Sequence, residues 1–169
     1  MSVTENHLGR LRKRFNAKLS IAELSEPNRI RLQVLAEDLL EIMQFTAIEL
    51  NFTSLEAISG VDYDTYFEVV YHVDKWDGDP TVLQVHVKLN DRENPAIPTI
   101  TPIWESANWH ERELFDLFGI NVIDHPNLKR LLLPEEWDDY EHKHISELHP
   151  MRRDYHLAEK PFSFKPHPK

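Results

Sequence analysis

The stretch ANWHERELFDLFG, Ala107 to Gly119, holds residue types that often do chemistry: His110-Glu111, then Arg112, Glu113 and Asp116. In a zinc-protease helix, two histidines one turn apart grip the metal and the intervening glutamate activates water. Here Leu114 stands where the second histidine is needed, so the pair lacks its partner ligand. Paired carboxylates also serve as acid and base in glycoside hydrolysis, but that chemistry sets them across a cleft, which neighbouring sequence positions do not indicate. The histidines of HKHISELH, His142, His144 and His149, form either a metal site or a charged surface loop. Arg112 and Asp116 lie four apart and can pair on a helix, whereas Glu111 and Glu113 point to different faces. Two readings stay open: a solvated ion-pair face, or a buried or interfacial network with Arg130, Arg152 and Arg153 as the cations. Trp109, Phe115 and Phe118 in the same stretch are more aromatic than a plain surface helix needs.

Composition narrows the classes. Asp+Glu 29 against Lys+Arg 19 gives a net charge of −10, which argues against a nucleic-acid partner. Zero cysteines exclude disulfides, thiol nucleophiles and iron–sulfur clusters held by this chain's own thiolates. GxGxxG, GxxxxGK[ST] and GxSxG are all absent. No apolar run approaches the roughly 20 residues of a membrane span, and MSVTENHLGRLRKRF is too polar for a secretory signal. The chain reads as cytosolic or cytosol-facing.

The elements that must position the charged stretch follow from periodicity. Ser2 to Glu5 fits a capping box, and Leu8, Leu11 and Phe15 recur at helical spacing, predicting an amphipathic helix over 3–15 with a basic exposed face. RIRLQVLA from Arg29 alternates as a strand and leads into a helix over 36–50. TYFEVVYHV from Thr65 and TVLQVHVKL from Thr81 flank WDGDP and predict an antiparallel hairpin in a mixed sheet, with the 36–50 helix on one face. Phe67, Val69, Tyr71 and Val73 share a face, as do Leu83, Val85, Val87 and Leu89, and His72 and His86 read as solvent-side residues of opposite parity. Pro95, Pro98 and Pro102 imply an extended segment with no central strand or helix. Ser106 then caps a helix to Phe118, with Leu114, Leu117 and Phe118 as its apolar stripe and Gly119 as its left-handed stop. These elements predict a mixed, largely antiparallel sheet with packed helices over 1–150, and an extended proline-containing tail over 151–169 that wraps a partner or stays disordered.

TPIWESANWHERELFDLFGINVIDHPNLKRLLLP, Thr101 to Pro134, resembles the signature of the thirty-kilodalton subunit of NADH-quinone oxidoreductase, the C-type subunit of respiratory complex I. Trp109, Glu111, Arg112, Glu113, Asp116, Gly119, His125, Pro126, Leu128 and Arg130 fall where the motif places them. GVDYDTYFEVVYHV is similar to the family's first hairpin strand and its approach. HPMRRDYHL, with Pro150, Arg152, Arg153 and Asp154, resembles its terminal His-Pro-Leu-Arg-Lys-Asp segment. An insertion over Asp138–Leu148 departs from the pattern.

The resemblance implies a non-catalytic α+β subunit in the peripheral arm, on the cytoplasmic side, meeting the membrane only through the complex. It implies docking on the counterparts of the D-type subunit, which is related to nickel–iron hydrogenases, and of the B-type subunit, near the I-type one, with the motif residues as probable interface. It also implies no cofactor on this chain, the iron–sulfur clusters and quinone belonging to partner subunits. Alternatives are a subunit of a membrane-bound energy-converting hydrogenase or deazaflavin-cofactor dehydrogenase. From another class comes an independent metal-dependent enzyme using Glu111, Glu113 and nearby histidines.

Overall fold

The computed structural model describes residues 2–134, 137 and 148–155. Helix α1 (Val3–Phe15) starts at the expected capping box: the Glu5 amide donates to Ser2 Oγ at 3.1 Å and the Ser2 amide donates to Glu5 Oε2 at 2.6 Å. Strands β1 (Leu19–Glu26) and β2 (Arg29–Val34) follow, then α2 (Leu39–Ile48), β3 (Ser54–Asp62), β4 (Phe67–Asp74) and β5 (Val82–Leu89). A short β6 (Ala96–Pro98), α3 (Ala107–Phe118) and β7 (Asn121–Ile123) complete the named elements.

The five-stranded sheet runs β1-β2-β5-β4-β3. β2 and β5 are parallel and every other neighbouring pair is antiparallel. A parallel pair cannot be joined by a tight turn, so α2, β3 and β4 all lie in the crossover between β2 and β5. The expected hairpin pairs from Phe67↔Leu89 to Val73↔Leu83, which places the two predicted apolar faces side by side. Ile30, Leu32 and Val34 extend that face along β2, and Leu11 and Phe15 of α1, Ile42 and Met43 of α2, and Leu114 and Phe118 of α3 join it in one core. The α+β class with a mixed, mostly antiparallel sheet is therefore the observed one.

Several local expectations change. Strands β1 and β3 were not predicted by the sequence pattern. They are the two edges of the sheet. The predicted 36–50 helix splits into a 3-10 turn over Ala36–Asp38 and then α2. The proline segment lies extended and pairs only over three residues with β7, where the Asn121 amide donates to Pro95 and the Thr99 amide to Ile123, so no proline nitrogen has to donate. Ser106 does not cap α3: its backbone is already helical (φ −58°, ψ −24°), and its side chain makes no capping bond. Gly119 does terminate α3 in the left-handed region at φ 74°. Leu114 and Phe118 are buried as predicted, whereas Leu117 is only half-buried. His72 and His86 do lie on the outer face of the sheet, but both are half-buried there, and His86 Nδ1 sits 3.3 Å from Glu68.

Helix α3 packs tightly on β3. A Cβ at Gly60 would stand 2.8 Å from the Phe118 ring and 2.9 Å from Leu114. This contact sets the inner face of α3, and its polar residues face the chain segments that precede and follow it.

Candidate functional site

Glu111 is fully buried at the inner edge of α3. Its two oxygens accept from the Ile100 amide at 2.7 Å and from the Thr99 hydroxyl at 2.6 Å. Burial pushes its carboxyl up, and these two donors only partly offset the rise. His125 Nε2 lies 3.7 Å from Glu111 and 3.3 Å from the Asn108 carbonyl, while its Nδ1 accepts from the Asn127 amide at 3.0 Å. That arrangement puts the ring proton on Nε2 and leaves the imidazole neutral, and burial lowers its pKa in the same sense. The Tyr71 phenol, also fully buried, is pushed well up by burial and then by the Glu111 charge.

Arg112 does not pair with Asp116, as the four-residue spacing allowed. Its Nε and Nη2 donate to the carbonyls of Lys129 and Arg130 at 3.0 and 2.8 Å, and its guanidinium stands 5.2 Å from the Trp109 ring centroid. Lys129 and Arg130 bring backbone oxygens that match the planar fork, and these compete successfully with a carboxylate one turn away. Trp109 itself is 58% exposed.

Asp116 is claimed from the other side. One oxygen accepts from the amides of Leu131, Leu132 and Leu133 at 3.0, 2.6 and 3.0 Å, and the other accepts from Arg130 at 2.9 Å. Burial alone would raise this carboxyl, but the three amides and Arg130 outweigh it and hold the pKa below the ordinary range. His149 donates through Nδ1 to the Asp116 carbonyl at 2.9 Å, and its ring lies so close to Gly119 that a Cβ there would stand 2.6 Å away. Gly119 is thus required both by its backbone angle and by the imidazole above it. Burial lowers the His149 pKa.

Residues 151–155 are not extended, and the rest of the expected tail, 156–169, lies outside the described residues. The Met151 amide donates to the Leu117 carbonyl at 3.0 Å, and the Arg152 and Tyr155 amides close turns onto His149 and Arg152. Neither Arg152 nor Arg153 neutralises Glu111 or Glu113. Arg152 is 3% exposed, lies 5.0 Å from the Phe67 ring centroid, donates to Asp154 at 2.9 Å and reaches the Arg92 carbonyl at 3.3 Å. Arg92 lies 4.5 Å from the same ring and pairs with Asp62, whose Oδ2 also accepts from the Arg153 amide at 2.8 Å. The Arg153 side chain pairs with Asp64 at 3.3 Å near the surface. Asp154 is held low first by Arg152. Glu113 and Pro126 are exposed, and Pro150 is half-buried.

Of the predicted motif residues, the structure joins Glu111 to His125 and Asp116 to Arg130, Gly119 and His149. It separates Arg152, Arg153 and Asp154 into a second cluster at the β3–β4 end of the sheet. Thr99, Asp62, Phe67 and Arg92 are contributors that sequence reasoning missed, because none stands in a spacing that announces its partner. His142 and His144 lie outside the described residues, and among those described no group of three His, Cys, Asp or Glu could hold a metal ion. Chemically, the carboxylates and guanidinium groups of the site bond to this chain's own backbone and side chains. The arrangement fixes the path of 124–134 and 148–155 over α3.

Residues 10–161 match the family described as "Respiratory-chain NADH dehydrogenase, 30 Kd subunit". The chain belongs to this thirty-kilodalton family. It is similar to the C-type subunit of NADH-quinone oxidoreductase from Roseiflexus sp. (strain RS-1), 41% identical over 120 residues covering 69% of this chain and 62% of that relative. The chain thus matches less than two thirds of that relative's length. It is also similar to the C-type subunit of F(420)H(2) dehydrogenase from Methanosarcina mazei, 34% identical with 84% of this chain and 85% of the relative covered. Among solved structures, a chain of the membrane-bound sulfane sulfur reductase, an archaeal respiratory membrane complex, shares the fold at a TM-score of 0.72 and 22% identity, over 90% of this chain and 85% of that one. Among the described residues, no helix of this family member is long and apolar enough to cross a membrane.

Proposed function

We propose that this chain is a non-catalytic structural and assembly subunit in the peripheral arm of a complex I-type oxidoreductase. It docks on the counterparts of the D-type and B-type subunits, near the I-type one, on the cytoplasmic side of the membrane, and supports electron transfer to quinone coupled to ion translocation. It carries no cofactor, and the iron–sulfur clusters and quinone sit in partner subunits. The observation that carries this reading is the use of the family's charged residues. Glu111, Arg112 and Asp116 each hold a segment of this same chain, which supports a role in fixing a shape over one in turnover. Trp109, Leu132 and Met151 stay exposed on or beside the strapped segments, as apolar contacts for a partner would.

The relatives name two electron donors, NADH and F(420)H(2), so the deazaflavin-cofactor dehydrogenase reading stands beside the NADH one, with the energy-converting hydrogenase as a further variant. Affinity purification under native conditions, followed by mass spectrometry of the bound chains, tests the proposal. The D-type and B-type counterparts in stoichiometric amount are the expected result. A free chain with bound zinc or iron would instead favour the metal-dependent enzyme.

A further inference from the structure

Far from the family motif, the β4–β5 turn presents Trp76, 81% exposed, at the tip of the hairpin. A single exposed apolar side chain is ordinary on a protein surface. What sets this one apart is how firmly its turn is held. Lys75, on one side of it, is turned inward: its ammonium lies 3.2 Å from Asp79, 3.7 Å from Asp77 and 5.4 Å from the Phe52 ring centroid. On the other side the Asp79 amide donates to Asp77 Oδ1 at 3.1 Å, the Thr81 amide donates to Asp79 Oδ1 at 3.0 Å, and Gly78 takes φ 87°. Helix α1 then clasps the turn from outside the hairpin, through His7 Nε2 to Asp79 at 2.8 Å and Thr4 to Thr81 at 2.9 Å between hydroxyls.

The backbone carrying the indole is therefore pinned from two sides, and the ring has no aromatic or cationic partner among the described residues. A large aromatic on a preorganised backbone loses little entropy when it binds, which is the physical profile of an interface anchor. The charge beside it indicates the partner. Lys75 is shared between Asp79 and Asp77, one buried cation against two carboxylates, so the turn keeps a net negative charge and Asp77 is its exposed carboxylate. An indole face and a carboxylate together suit a cation that stacks on one and pairs with the other.

We propose that Trp76 anchors a partner protein presenting an arginine or lysine on an otherwise apolar surface, the cation stacking on the indole and pairing with Asp77. This rests on the reading of the chain as a subunit, but it adds a contact remote from the family motif.

The test uses the assembled complex with a photo-crosslinking benzoylphenylalanine at position 76. The expected adduct is a single peptide of another subunit with an arginine or lysine beside the crosslink. Alongside, Trp76→Ala should speed release of the chain in a wash of moderate ionic strength by roughly tenfold or more, Asp77→Asn, which keeps the Oδ1 acceptor for the Asp79 amide, should also speed it, and Trp76→Phe should do so by much less. The exposed side chain contributes little to folding, so the Trp76→Ala chain should melt with the wild type and its faster release cannot be ascribed to unfolding. Adducts only with lipid or with a second copy of the chain, no adduct at all, or wild-type release of Trp76→Ala would overturn the inference. If partner subunits still co-purify in those cases, the subunit reading survives; if none co-purifies, both fail.

Discussion

At the residue scale, two buried carboxylates on one helix should respond oppositely to pH. The folded-state pKa of Glu111 is raised, so its protonated form is favoured, and the stability this provides is present below the ordinary carboxylate pKa of about 4.3 and lost as pH rises through the raised value. Glu111→Gln should therefore flatten that decline, leaving the variant near or above wild-type stability at pH 8 and at a relative disadvantage near pH 4. The folded-state pKa of Asp116 is depressed, so its contribution is present above about pH 3.9 and lost as pH falls through the lowered value. Asp116→Asn should be destabilised at pH 7, by about 1–3 kcal/mol, because a neutral amide replaces the charge that accepts from three backbone amides and Arg130, and less so in acid. Urea unfolding across pH 4–8 measures both slopes. Arg112→Ala has a different basis from the carboxylate network its spacing suggested: it strands two backbone carbonyls and loses a stack on Trp109. The expected cost is about 1–3 kcal/mol for each unsatisfied buried group, less where water replaces the guanidinium.

At the element scale, the strap 148–155 and helix α3 depend on each other. Gly119→Ala forces an unfavourable positive φ and drives a Cβ into the His149 ring, so it should loosen the strap as well as the helix end. Arg152→Ala should leave α3 intact and release the strap from Phe67 and Arg92. Limited proteolysis together with hydrogen–deuterium exchange separates the two, with earlier cleavage around 148–155 in both variants and earlier exchange of the α3 C-terminal amides in Gly119→Ala alone.

How far these elements were legible depends on the kind of interaction that makes them. The β4–β5 hairpin, α1 and the Gly119 stop were readable because apolar alternation, capping chemistry and a left-handed glycine are local signals. The edge strands β1 and β3 were not, since LSIAELSE is mostly exposed and SLEAISGVD lacks a clean alternation. The site was half legible. The Trp109–Arg130 residue types were visible, but Arg112 and Asp116 find backbone atoms 15 to 18 residues away, and no side-chain spacing encodes a partner that is a carbonyl or an amide.

At the scale of the whole molecule, a sheet with helices over one face carries an outer layer of chain that its charged residues tie down. If this layer is what partner subunits recognise, weakening it should change how much complex forms and leave each formed complex competent. Arg112→Ala, expressed in place of the wild-type chain, tests this most directly. Assembled complex is quantified on blue-native gels beside electron-transfer activity per cluster-bearing unit. The account predicts a reduced amount of complex with nearly normal activity per unit. Full assembly with lost activity would contradict it, because Arg112 would then serve turnover and not shape.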